Sequence, residues 1–266
     1  MSEHPTILEL DPPPGARVRV LSDLHFGHER CEAPAVEKLA PLLDGVRTLV
    51  IAGDLSETRS CAWQQEGLRL REQLRELCRK RGVTLITLSG NHDPDAGSLL
   101  LSLWGGRTVV MHGHALYKEG APWSWEYLRN RDTCQACIAR YPAADHDLTQ
   151  RLLLSREMCQ LTPPILRREG IRNHHLRGLL HCFFPPQRPL RIVWGWLTCG
   201  RKAEAFARRF FPEARVVVLG HFHRSGHWQY GGRTIVNTGA WFTHATPWLA
   251  DLQGGALTDY RPVRLP

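Results

Sequence analysis

The sequence predicts an α/β fold, and three observations carry that reading. Five short apolar, β-branched runs end in a Gly or a polar break, the mark of buried strands: Val18 to Leu21, Leu49 to Ala52, Val83 to Leu88, Thr108 to Met111 and Val216 to Leu219. Between the second and third lies a helical pattern, Cys61 to Arg81, with leucines at 68, 70, 74 and 77, so the three read together as a β-α-β unit. Each run leads into a short polar motif, as expected where sites form at the strand ends of an open sheet.

In chain order, the opening from Met1 to Gly15 is proline-rich and polar, and its Ile7-Leu8-Glu9-Leu10 piece reads as an added edge strand or as part of an extended tail. The five runs then deliver Asp23-Leu24-His25, Gly53-Asp54, Gly90-Asn91-His92-Asp93, His112-Gly113-His114 and Gly220-His221-Phe222-His223. A chain of 266 residues can bury a sizeable core in one principal domain. It has no apolar stretch of about 18 residues and no basic-then-apolar leader, so neither a membrane span nor a signal peptide is expected. Eight scattered cysteines form no disulfide framework and suggest reduced thiols in a cytoplasmic protein.

Singly, each motif is explained by a loop cap or a hydrogen-bonded histidine; all five in order suggest one constructed site. Carboxylate, imidazole and amide suit Mn, Fe, Zn or Mg, and one Asp can bridge two ions about 3.5–4 Å apart that share an activated hydroxide. No motif contains the thiolate that a soft-metal or iron–sulfur site would use.

The set resembles the calcineurin-like metallophosphoesterase superfamily over residues 17–114 and 215–241. The resemblance implies an α/β four-layer αββα sandwich of two mixed β-sheets flanked by helices. Residues 1–16 would form an N-terminal extension, and the domain 17–266 would be interrupted by a helical, basic lid insertion at 121–214. Position by position, Asp23, His25 and His223 would hold one metal, Asp54 would bridge, and Asn91, His112 and His221 would hold the other. Two divalent ions are implied, Mn²⁺ first, with Fe, Zn or Mg as alternatives. His92 matches the catalytic histidine: a bridging hydroxide attacks phosphorus while His92 neutralises developing charge and protonates the leaving alkoxide. Asp93 would orient an imidazole or act as a turn residue before Pro94. Glu57 would support the Asp54 loop or, the preferred reading, cap the following helix. His114 and His28 are candidates for substrate phosphate contact, or ordinary loop histidines.

The interval from Ala121 to Arg215 carries 16 Lys and Arg against 8 Asp and Glu, which accounts for the whole net charge of +8. Arg167, Arg168, Arg172 and Arg177 cluster around His174 and His175, and Arg201, Lys202, Arg208 and Arg209 share a second predicted helix. Such charge beside a phosphate-cleaving site would draw in anionic substrate and contact a second phosphate; a solvated helix face is the alternative. Trp123, Trp125, Tyr127, Phe183, Phe184, Trp194 and Trp196 fit stacked bases, a lipid-bearing substrate, a peripheral membrane contact, or the lid's own small core. Cys134 and Cys137 have metal-ligand spacing, with Cys159, His174, His175, His181 and Cys182 downstream for a structural zinc, but a lone CxxC on a helix lacks a clear second pair. Glycines at 195 and 200 would permit a hinge or mark turns.

In layout the chain resembles the UDP-2,3-diacylglucosamine pyrophosphohydrolase-like branch, which also places a helical, basic lid in this interval. Those enzymes carry Arg where this chain has His92 and Asp where it has His114. The reading is a metal-dependent hydrolase of phosphoester or pyrophosphate bonds, acting on a phosphorylated small molecule or a lipid-linked nucleotide. A nucleic-acid-processing nuclease would share the site but bind with steep salt dependence. A non-catalytic binding scaffold is the third class, marked by lost ligands, whereas all seven are present.

Overall fold

The computed structural model describes residues 4–161 and 187–265. Its strands form two mixed sheets. The six-stranded sheet runs, edge to edge, β1 (Ile7–Leu10), β5 (Leu100–Leu103), β6 (Thr108–Met111), β7 (Val216–Leu219), β9 (Arg233–Asn237) and β8 (Gly226–Tyr230). The five-stranded sheet runs β11 (Ala256–Pro262), β10 (Trp248–Gln253), β2 (Val18–Leu21), β3 (Thr48–Ile51) and β4 (Thr84–Thr87). All five predicted runs are strands, with ends shifted by a residue or so. Residues 7–10 take the edge-strand alternative, parallel to β5.

β2, β3, β6 and β7 are buried at every residue because both faces are covered. Between the sheets lie Val18, Val20 and Val50 from one, and Val110, Val216 and Val218 from the other. Outside the five-stranded sheet, α1 (Gln64–Lys80) and a 3₁₀ helix (Val36–Leu43) pack on Leu21, Leu49 and Ile51. Of the four α1 leucines, Leu74 is buried, Leu70 and Leu77 pack on the core, and Leu68 faces solvent. Ion pairs one turn apart, such as Arg69 with Glu66 and Arg79 with Glu76, line the helix's outer face.

Between β6 and β7 lie α2 (Trp125–Arg129), α3 (Arg131–Ala139), α4 (Leu148–Leu161) and α5 (Gln187–Phe210). α5 sets Cys199, Ala203, Phe206 and Ala207 on the outer face of the six-stranded sheet, completing the fourth layer. Neither a hinge nor a turn interrupts it at Gly195 or Gly200, which lie inside the continuous helix. There the missing side chains admit neighbouring rings: a Cβ at 195 would stand 3.0 Å from Trp123, and one at 200 would stand 2.8 Å from Trp228. Cys134 and Cys137 are buried with Tyr127, Leu154 and Met158 in a small apolar core beneath α3 and α4. That packing accounts for the CxxC pair, and His174, His175, His181 and Cys182 lie outside the described residues. No helix among the described residues is long and apolar enough to cross a membrane.

One buried polar contact ties the five-stranded sheet together. Arg19 donates to both carboxylate oxygens of Asp251 on β10, at 2.7 and 2.6 Å, and to the carbonyl of Leu42, at 2.8 Å. Asp251→Ala would leave that guanidinium buried without its counter-charge, so equilibrium urea unfolding should show a loss of about 3–5 kcal/mol. A change under about 1 kcal/mol, the surface-pair scale, would contradict this account.

Candidate metal centre

The strands that deliver the motifs, β2, β3 and β4 in one sheet and β6 and β7 in the other, are parallel within each sheet, so the loops at their carboxyl ends meet. Two glycines let those loops touch. A Cβ at Gly90 would collide with the carboxylate and amide of Asp54, and one at Gly220 with the carboxylate of Asp23 and with Ser22. The approach strains the backbone. Seven described non-glycine residues have positive φ, and five of them are Asp23, His25, Asp54, His221 and His223, with φ between 51° and 74°. Each costs on the order of 1–2 kcal/mol relative to an ordinary conformation.

One ligand atom each from Asp23, His25, Asp54 and His223 falls within 4.8 Å of the others. His25 Nε2 lies 3.2 Å from His223 Nε2 and 3.7 Å from Asp54 Oδ2; His223 Nε2 lies 3.4 Å from Asp23 Oδ1. A second group forms beside it. Asn91 Oδ1 sits 3.0 Å from His112 Nε2 and 2.8 Å from His221 Nδ1, and His112 Nε2 is 3.2 Å from Asp54 Oδ2. Thus Asp54 Oδ2 belongs to both groups, and it is buried without a hydrogen-bond partner.

The outer partners set the tautomers. His112 Nδ1 lies 2.9 Å from the carbonyl of Ala52, which can only accept, so Nδ1 carries hydrogen and Nε2 faces inward. Glu57, fully buried, places one carboxylate oxygen 2.8 Å from His25 Nδ1 and the other 2.9 Å from His92 Nδ1. Inward-facing lone pairs backed by carbonyl or carboxylate are the arrangement that metal-bound imidazoles adopt.

The field is that of a cation site. Burial disfavours charge on the carboxylates, yet the surrounding histidines hold Asp23, Asp54 and Glu57 well below the usual carboxylate range. Burial likewise opposes an imidazolium at His112, but Asp54 and Asp23 outweigh it and hold the ring up to about 9. At His92, Glu57 and Asp54 overcome burial in the same way, holding it up to about 10. A divalent ion would supply the positive charge that the His112 proton provides, and its binding to that ring would release the proton.

Several expectations need correction. Asp93 touches no imidazole: its carboxylate accepts the backbone N–H groups of Gly90, Asp54, Leu55 and Ser56 at 2.9–3.2 Å. It braces the Asp54 loop against the Asn91 loop. Glu57 does not cap α1, which begins seven residues later; it bridges two histidines. His114 is 2 % exposed, neither ring nitrogen has a partner, and burial together with His112 pushes it down to about 3, so no face is left for a substrate phosphate. His28 packs 4.2 Å from Trp63 and beside Phe242, and burial pushes it down to about 4. Arg167, Arg168 and Arg172 lie outside the described residues. Lys202 sits over the rings of Tyr117 and Trp194, Arg208 pairs with Glu204, and Arg209 donates to the carbonyl of Asp145. None of these three lines the cavity beside the centre; Arg59 and Arg188 do, and neither stands in a recognisable motif. For Glu57 a signal existed, an acidic residue three positions after Asp54 in the same loop.

Glu57→Gln should loosen both histidines at once, because an amide can accept from only one of the two Nδ1–H groups. Metal affinity or turnover should fall about 10- to 100-fold, read by calorimetric Mn²⁺ titration and steady-state rates. Values unchanged in both would show that Glu57 does not position the site.

The family model for calcineurin-like phosphoesterases matches residues 16–225. No curated protein matches the sequence. Solved structures similar to this chain include a conserved uncharacterized protein of Streptococcus pneumoniae TIGR4 described as a predicted phosphoesterase, with 15 % identity over 89 % of this chain and 81 % of that one, TM-score 0.35. The cold-active protein-tyrosine phosphatase of a Shewanella species has 14 % identity over 99 % and 83 %, TM-score 0.41. Vps29 of Entamoeba histolytica, complexed with zinc, has 14 % identity over 93 % and 98 %, TM-score 0.42.

Proposed function

Since the chain belongs to the calcineurin-like phosphoesterase family, we propose that it hydrolyses phosphodiester or pyrophosphate bonds with two divalent ions, manganese first. The observation that carries this is Asp54 Oδ2, a buried carboxylate oxygen without a hydrogen-bond partner, 3.7 Å from His25 Nε2 and 3.2 Å from His112 Nε2. Such an oxygen is costly to bury unless a cation meets it. Asp23, His25, His223 and Asp54 would hold one ion; Asn91, His112, His221 and Asp54 would hold the other. Bound there, the ions would supply Lewis-acid charge beside the phosphate and a water acidic enough to ionise near neutral pH.

The remaining work falls to the chain. His92 lines the cavity beside the centre, with Nδ1 held by Glu57 and its backbone N–H on Asp54 Oδ1 at 2.8 Å. Its other ring nitrogen is thereby the proton donor to the leaving oxygen, and the imidazolium form, favoured by Glu57 and Asp54, carries that proton. Cytoplasmic residence belongs to the same reading, supported by the free thiols at Cys78, Cys134, Cys137 and Cys199, all buried.

The test is hydrolysis of bis(4-nitrophenyl) phosphate and 4-nitrophenyl phosphate by metal-stripped protein with and without Mn²⁺. Turnover should require the metal and favour the diester. Metal uptake without turnover of either ester would assign a binding role instead.

A further inference from the structure

The cavity that opens beside the centre is larger than a phosphate needs. It has a volume of about 460 Å³ and is bounded by His92, His221 and His223, by Arg59, by the segment from Glu119 to Ser124 and by residues of α2 to α5. That volume is typical of a small-molecule site. Five of its walls are aromatic rings: Trp123, Trp125, Tyr127, Trp196 and Phe222. They are fixed in place. Trp123 packs on His221 and Phe222 with ring centroids 5.4 and 5.7 Å apart, and Trp196 Nε1 donates to the carbonyl of Phe222 at 2.9 Å.

The lining is selective. Among the described residues, its long aliphatic contacts are Met158 and Ile192, against five aromatic rings. Rings offer flat faces instead, and a flat π-system stacks on them whatever its substituents. Polar groups stand among them: Ser124, Glu119 and the guanidinium groups of Arg59 and Arg188, the last with Nε on the carbonyl of Trp123 at 3.1 Å. Hydroxyl and carboxylate suit the donors of a sugar or base, and guanidinium suits phosphate oxygens.

We propose that the cavity receives a nucleoside esterified to the phosphate at the metal centre, its base stacked among the rings of Trp123, Trp125 and Trp196. The assignment rests on the phosphoester-hydrolase reading of that centre and narrows its substrate to a nucleotide ester. Bare phosphate would leave the rings uncovered, and an alkyl chain would cover them without using the polar groups that stand among them.

The test is calorimetric binding of three ligands to the full Mn²⁺-loaded chain: adenosine 5′-monophosphate, inorganic phosphate and dodecyl phosphate. The nucleotide should bind at least about tenfold more tightly than phosphate, the scale of one base stacked on a ring, and more tightly than dodecyl phosphate. Met158→Trp, which fills the cavity, should bring the nucleotide-to-phosphate ratio toward one, and Ile192→Trp is a second filling should the first fail to fold. A nucleotide no tighter than phosphate, an alkyl phosphate tightest of the three, or a ratio unmoved by filling would overturn the assignment. Hydrolysis of the diester is scored separately, so a protein that binds nucleotide without turnover loses the hydrolase reading and keeps the cavity's, and the converse result does the opposite.

Discussion

Asp54→Asn is expected to lower Mn²⁺-dependent diester turnover by at least about 10³-fold, because the oxygen it alters is shared by both donor groups. The amide is nearly the same size, so packing is kept while the charge is lost. The oxygen that accepts the His92 N–H can be retained, and the other position becomes an NH₂ aimed at the inward lone pairs of His25 and His112. That group would bond to imidazoles where a cation should sit. The same substitution should abolish thermal stabilisation by Mn²⁺, which for wild type at about 100 times Kd amounts to about 2.7 kcal/mol. Retention of both turnover and stabilisation in the variant would sink the dinuclear proposal.

The second large effect is at His92. His92→Ala should cost about 10²- to 10⁴-fold in kcat while leaving stabilisation by Mn²⁺ in place, since this ring packs edge-on against His25, gives its Nδ1 to Glu57 and otherwise meets the cavity. The loss should depend on the leaving group. A 4-nitrophenolate departs with little help from a proton, whereas an alkoxide needs one, so an alkyl ester should suffer more. Equal losses on the two kinds of ester would show that His92 positions the phosphate and does not donate a proton.

Much of this was legible in the chain. β-Branched runs between polar breaks locate buried strands because both faces of each sheet are covered, and the motif residues converge because parallel strands end together. What escaped was the identity of partners across loops. Glu57 reads as a helix cap in one dimension; only the folded loops bring His25 and His92 to its two oxygens. Asp93 looks like a turn residue or an imidazole partner until four amides from two loops close on it. Gly195 and Gly200 suggest flexibility by composition, yet they serve close packing, because the space that a Cβ would take is occupied by tryptophan rings. Cys134 and Cys137 have ligand spacing, but the helix turns them into an apolar core.

The left-handed backbone at Asp23, His25, Asp54, His221 and His223 bears on how such a protein responds to selection. Five such residues together forgo an amount comparable to the net stability of a typical domain, about 5–15 kcal/mol. Glycine or asparagine at these positions would relax the turns. A library screened only for heat resistance, with chelator present, should therefore drift toward Gly and Asn there and yield sturdy, inert proteins. Repeating the screen with metal should reverse the drift, since the ion then rewards the strained aim of its ligands.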